Sequence, residues 1–113
     1  MHEMSLMESV LEIVEEEAKK AGATKVKAVR LDIGELSHVE PEAMRFCFDA
    51  VVRGSIAAEA VLEIVRVPGQ GWCMDCCETV ALAERFGACP KCGNHRVQMT
   101  SGDDMRVAEL EVE

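Results

Sequence analysis

Cys73-Met74-Asp75-Cys76 is followed, after twelve residues, by Cys89-Pro90-Lys91-Cys92. Two Cys-x-x-Cys turns this close together can aim four thiolates at one point. Zn²⁺ imposes no geometry of its own and takes four such sulfurs tetrahedrally. Pro90 and Gly93 supply the turn chemistry a thiolate knuckle needs. Two structural disulfides are the competing arrangement, but Cys-x-x-Cys bridges are mostly redox-active. A thioredoxin-type site needs one pair at the head of a long helix, and neither pair has that setting. The spacing predicts a structural zinc site with Cys73, Cys76, Cys89 and Cys92 as ligands.

Working outward, the module is bounded by Pro68-Gly69-Gln70-Gly71 and Thr100-Ser101-Gly102-Asp103. Both flanks are rich in turn residues and lack apolar periodicity. Residues 68–100 therefore read as a zinc-binding domain, with short strands near Thr79–Ala83 and Arg96–Thr100. Residues 1–67 and 101–113 form the remainder, a discontinuous α/β domain. In this reading the module is an insertion between neighbouring strands.

Within the remainder, Met4, Met7, Leu11, Val14, Ala18 and Ala21 recur at three-four spacing, with Val10 beside them, and predict an amphipathic helix over 2–21. Gly22 is a suitable stop. Ser5 with Glu8 would make a capping box and leave the first four residues as a free arm. Val29, Leu31 and Ile33 alternate with Arg30 and Asp32, which predicts a strand over 25–33. Pro41 suits the first position of a second helix with Met44, Cys47, Phe48, Val51 and Val52 as its apolar stripe. Further strands are expected over 60–67 and 105–112, the last with Ala108, Leu110 and Val112 turned inward. The fold class is α/β (α+β): a three-stranded, mainly antiparallel sheet with two helices, plus an inserted zinc ribbon.

Composition limits the partners. Twelve basic against 21 acidic side chains give a net charge of −9 over 113 residues. A chain so acidic is repelled by phosphate backbones, so nucleic acid is not an expected partner. No apolar run reaches membrane length and no signal peptide opens the chain, so a cytoplasmic protein without membrane insertion is expected. Six cysteines in a reducing compartment favour metal over disulfides. Cys47 reads as a small buried hydrophobe. Cys77 sits beside a ligand and could compete for the metal.

Of the three histidines, His38 and His95 read as surface side chains. His2 is different, because Met1 is expected to remain in place before it. The Met1 amine, the His2 amide nitrogen and the His2 imidazole can form fused chelate rings of the kind that suits square-planar Ni(II) or Cu(II). Glu3 adds a further backbone nitrogen and a carboxylate. On these residues alone, a solvated terminal histidine is the commoner arrangement.

Met1-His2-Glu3-Met4-Ser5-Leu6, Ile33-Gly34-Glu35-Leu36-Ser37, Phe46-Cys47-Phe48-Asp49 and the paired cysteine turns together resemble the HypA/HybF family of hydrogenase maturation nickel chaperones. The resemblance runs along essentially the whole chain. It implies Ni(II) as transient cargo, held by the Met1 amine, His2 and the Glu3 backbone with a carboxylate at Glu40. It implies structural Zn(II) on the four cysteines. It further implies delivery to the [NiFe]-hydrogenase large subunit, together with a HypB-type GTPase. Some members carry histidines directly beside the cysteines, whereas this chain has Cys77 and Gly93 there. Whether it is a monomer or a homodimer is open.

The expected function is that of a metallochaperone and not of an enzyme, since no nucleophile-base pair, phosphate-binding glycine loop or paired-carboxylate site stands out. The alternative is a zinc-ribbon adaptor without nickel transfer, against which the acidic charge and the lack of a basic, aromatic-studded face both count.

Overall fold

The structure is a computed structural model that describes residues 2–113. Its elements are α1 (Glu3–Lys20), β1 (Val26–Gly34), α2 (Pro41–Val51), β2 (Val61–Val67), β3 (Gln70–Cys73), β4 (Glu78–Ala81), β5 (Val97–Ser101) and β6 (Met105–Val112). They form two three-stranded sheets, ordered β2-β1-β6 and β4-β3-β5. The chain divides into two compact units. One contains the residues up to Asp32, Val39–Val65 and Arg106–Glu113; the other contains Ile33–His38 and Arg66–Met105.

In the first unit, helix α1 is built from good helix formers and ends where Gly22 turns left-handed at φ +67°. There Ala23 N–H reaches back to the Ala18 carbonyl at 2.9 Å and Gly22 N–H to that of Lys19 at 3.0 Å. These two bonds satisfy carbonyls that the helix leaves without partners. The buried side of α1 is Glu3, Met7, Val10, Val14 and Ala18. Val10 is therefore in the stripe, while Met4 and Ala21, expected inward, are exposed. Helix α2 opens on Pro41 and buries Met44, Cys47 and Phe48.

Val26, Val29 and Leu31 of β1 are fully buried, as are Met7 and Met44. Truncating one such side chain to alanine costs about 2–5 kcal/mol in a core that cannot collapse around the gap. Thr24 N–H meets the Glu113 carbonyl at 2.9 Å and Gly34 N–H that of Asp104 at 2.8 Å, so β1 and β6 run antiparallel. Val26 N–H meets Ile56 at 3.1 Å and Glu35 N–H meets Val67 at 2.8 Å, so β1 and β2 run in the same direction, with α2 in the crossover.

The free arm over the first four residues does not form among the described residues: α1 starts at Glu3, and Ser5 lies inside it. The N-cap is His2, whose side chain makes no capping bond, and the acidic Glu3 occupies the first turn. The cysteine module lies in sequence between β2 and β6, but these are the two outer strands, separated by β1, and not neighbours. Val112 is exposed at the end of β6.

The second unit carries a strand that turn chemistry hid. β3 is the centre of the second sheet, paired antiparallel with β4 and β5. Its Gly71 marks a close approach of chains: a Cβ there would lie 2.5 Å from Val97 Cγ1 and 2.9 Å from Leu82 Cδ1. A shift of register against β5 falls at Gln70/Gly71. β4 and β5 stand where short strands are expected, β4 starting one residue earlier and ending two earlier, and β5 lying one residue later.

Candidate metal centres

The sulfurs of Cys73, Cys76, Cys89 and Cys92 all lie within 4.8 Å of one another. The first pair comes from the end of β3 and the turn after it, the second from the loop before β5. Cys73 and Cys92 Sγ are 3.7 Å apart, and Cys76 and Cys89 Sγ 3.9 Å. Tetrahedral zinc with Zn–S bonds of about 2.3 Å places its sulfurs about 3.8 Å apart. The quartet thus has the size of a zinc site.

Each turn also aims backbone N–H groups at its first sulfur. Cys76 N–H points to Cys73 Sγ and Lys91 N–H to Cys89 Sγ, both at 3.4 Å. Cys77 N–H bonds the Cys73 carbonyl and Gly93 N–H the Cys89 carbonyl, both at 2.8 Å, which closes the two turns alike. The Cys92 and Lys91 amides pull the Cys89 thiol down to about 7 against the effect of burial. Cys76 is pushed up to about 12, first by its hydrogen bond with the Cys92 thiol and then by burial. Four thiolates this close repel one another, and a divalent cation supplies the opposing charge. Cys73, Cys89 and Val80 are buried together, with Cys76 and Val97 packed against them. Cys77 is exposed at φ +53° and its thiol turns to the Met74 carbonyl at 3.5 Å. His95 Nδ1 lies 3.4 Å from the Phe86 carbonyl.

The amino-terminal residues present another picture. His2 is exposed at the head of α1, and its carbonyl accepts Leu6 N–H at 2.8 Å. Glu3 is only 7% exposed. Its Oε2 accepts the Glu40 backbone N–H at 3.4 Å, while Oε1 is buried with no hydrogen-bond partner among the described residues. Its own backbone N–H holds the carboxyl below the usual carboxylate range; burial opposes this and the Glu40 N–H adds to it. Glu40 precedes Pro41, makes no capping bond, and leaves its side chain exposed. The helices α1 and α2 therefore start at one place, with His2, Glu3 and Glu40 gathered there. Met1 lies outside the described residues. Spacing did not reveal that Glu3 would be buried; an acidic first-turn residue before an apolar stripe was the available sign.

Among the described residues, no helix is long and apolar enough to cross a membrane. A helix-and-sheet unit joined to a ribbon carrying a zinc-sized thiol quartet defines a metal-handling protein of the zinc-ribbon type.

Comparison with known proteins gives the particular family. Residues 1–112 match the family model described as hydrogenase/urease nickel incorporation, metallochaperone, HypA. The hydrogenase maturation factor HypA of Rhizobium leguminosarum bv. viciae is 63% identical over 112 residues, 99% of each chain. That of Dechloromonas aromatica is 60% identical over 113 residues and the full length of both. The solution structure of the Ni metallochaperone HypA from Helicobacter pylori matches with a TM-score of 0.74 at 32% identity, covering 99% of this chain and 97% of that one. The chain belongs to the HypA family, whose members are nickel-incorporation metallochaperones of hydrogenase maturation.

Proposed function

We propose that this chain carries Ni(II) as cargo on the Met1 amine, the His2 amide nitrogen and imidazole, and the Glu3 backbone nitrogen, with the Glu40 carboxylate nearby. It passes the ion to the [NiFe]-hydrogenase large subunit, working with a HypB-type GTPase. Zn²⁺ on Cys73, Cys76, Cys89 and Cys92 is structural, and the nickel-binding and zinc-binding roles belong to residues 1–67 with 101–113 and to residues 68–100. The protein acts as a carrier and not as an enzyme.

The observation that carries the nickel reading is the meeting of His2, Glu3 and Glu40 where α1 and α2 begin, pinned by the Glu3–Glu40 hydrogen bond. Nitrogen donors from an unblocked chain end give the strong in-plane field that nickel favours. Exposure of His2 and Glu40 suits cargo that must leave again. Hydrogenase is taken as the recipient because the relatives above are named hydrogenase maturation factors.

The test is nickel uptake and transfer by purified protein. His2→Ala should lose tight Ni(II) binding, keep its zinc, and fail to load a nickel-free hydrogenase large subunit in a reconstituted maturation mixture. Full loading by His2→Ala would refute the proposal.

A further inference from the structure

Beyond the sulfurs, side chains tie the two cysteine turns to each other, and the ties run both ways. Asp75, inside the first turn, accepts Arg96 Nη1 on Oδ1 at 2.9 Å and Asn94 Nδ2 on Oδ2 at 3.1 Å. Both donors lie just past the second turn. In return Lys91, inside the second turn, donates to Glu78, just past the first. Two backbone bonds reinforce this region, Met74 N–H to the Arg96 carbonyl at 2.9 Å and Cys89 N–H to the Asn94 carbonyl at 2.8 Å.

We propose that Asp75 with Asn94 and Arg96, and Lys91 with Glu78, form a two-sided clasp that sets how slowly the ribbon gives up its zinc, Asp75 being the main positioning residue. This rests on the zinc reading of the quartet. The 3.7 Å and 3.9 Å sulfur contacts each join a cysteine of one turn to a cysteine of the other. A four-coordinate ion leaves stepwise, one thiolate giving way to an incoming donor, and the outward swing of one turn from the other makes room for that donor. The clasp opposes this swing without touching the metal.

A lone exposed ion pair has little effect, and the Arg96 and Lys91 side chains are 71% and 62% exposed. Asp75 is different: its side chain is 27% exposed and its carboxylate holds two donors on separate oxygens. Charge-assisted bonds of that kind fix geometry as well as add attraction.

The experiment is zinc release from the full chain, loaded with one equivalent of Zn²⁺ and mixed with excess chromophoric chelator. The ion passes to the chelator's donors and the freed thiolates take protons from the buffer. Asp75→Ala should release zinc about three- to five-fold faster than the native chain, as expected for losing a paired charge. Arg96→Ala should follow it, and the double variant should be no faster than Asp75→Ala, since both changes cut the same tie. Asp75→Glu should restore slow release. Arg96→Ala, altered at an exposed tip, carries the test by itself if Asp75→Ala does not load. Native rates in the single variants, or a double variant whose effect is the product of the two singles, would overturn the clasp. A native chain that takes up no stoichiometric zinc would overturn the quartet reading, and the clasp with it.

Discussion

The two candidate metal regions are built in opposite ways. The thiol quartet draws four like ligands from two similar turns, buries two of them, and spaces them as zinc requires. The amino-terminal group brings unlike side chains to the heads of two helices and, among the described residues, leaves His2 and Glu40 in solvent with Glu3 buried. A closed four-ligand site is the form of structural zinc, and exchange needs open positions. On the reading proposed above, this contrast assigns the ion that stays to the thiol quartet and the ion that travels to the exposed head of the two helices.

The strongest way to break this contrast is to open the closed site. Structural Zn²⁺ contributes folding free energy on the order of 10 kcal/mol in small zinc modules. Cys89→Ala should therefore abolish stoichiometric zinc and expose residues 68–100 to protease, while α1 and α2 persist by circular dichroism. Retention of zinc with native protease resistance would remove Cys89 from the ligand set.

The next effect is at the edge. Glu3→Ala removes the acceptor of the Glu40 N–H and a negative charge at the head of α1. Nickel affinity should fall with zinc unchanged, and Glu3→Gln, which keeps an acceptor, should fall less. Equal nickel affinity in all three proteins would detach Glu3 from the nickel region.

A smaller effect concerns pH. The Glu3 carboxyl titrates below its ordinary value in the folded chain. The unfolded chain then binds the extra proton first, so the stability Glu3 contributes is complete above pH about 4.5 and is lost as pH falls through its lower folded value. Glu3→Gln should flatten the melting temperature against pH in that acid window relative to the native protein. An unchanged slope would mean the carboxylate is not held in its ionised form.

The smallest expected effect is at the outer face of α1. Reversing Glu12, Glu15 and Glu16 should weaken docking of a HypB-type GTPase while leaving nickel stoichiometry as it is. An unchanged complex by calorimetry would exclude this face, whose glutamates would then serve only to solvate the helix.

How much of this was legible before the structure differs between the two regions for a physical reason. The four thiols are brought together by local turns, so Cys-x-x-Cys spacing alone points to the quartet. Their side-chain supports are not: Asp75 meets Asn94 and Arg96 across about twenty residues, and only folding brings them together. The helices, β1 and β6 follow from periodicity. β3 does not, because Gly71 reads as a turn until the close approach of Val97 and Leu82 explains it. The free amino-terminal arm was expected from Ser5 and Glu8, a local capping signal. A tertiary contact overrode it: Glu3 is buried and bonded to Glu40, 37 residues away.

If nickel is held by the chain end itself, a single added residue should abolish the site. A glycine placed before Met1 moves the amine one position away and breaks the fused chelate rings, while every side chain stays in place. Nickel titration of the native and glycine-extended proteins, both zinc-loaded, should show tight uptake by the native chain and its loss in the extended one, with zinc content equal. An extended protein that binds Ni(II) as tightly as the native one would contradict amine ligation and leave a site made of side chains alone.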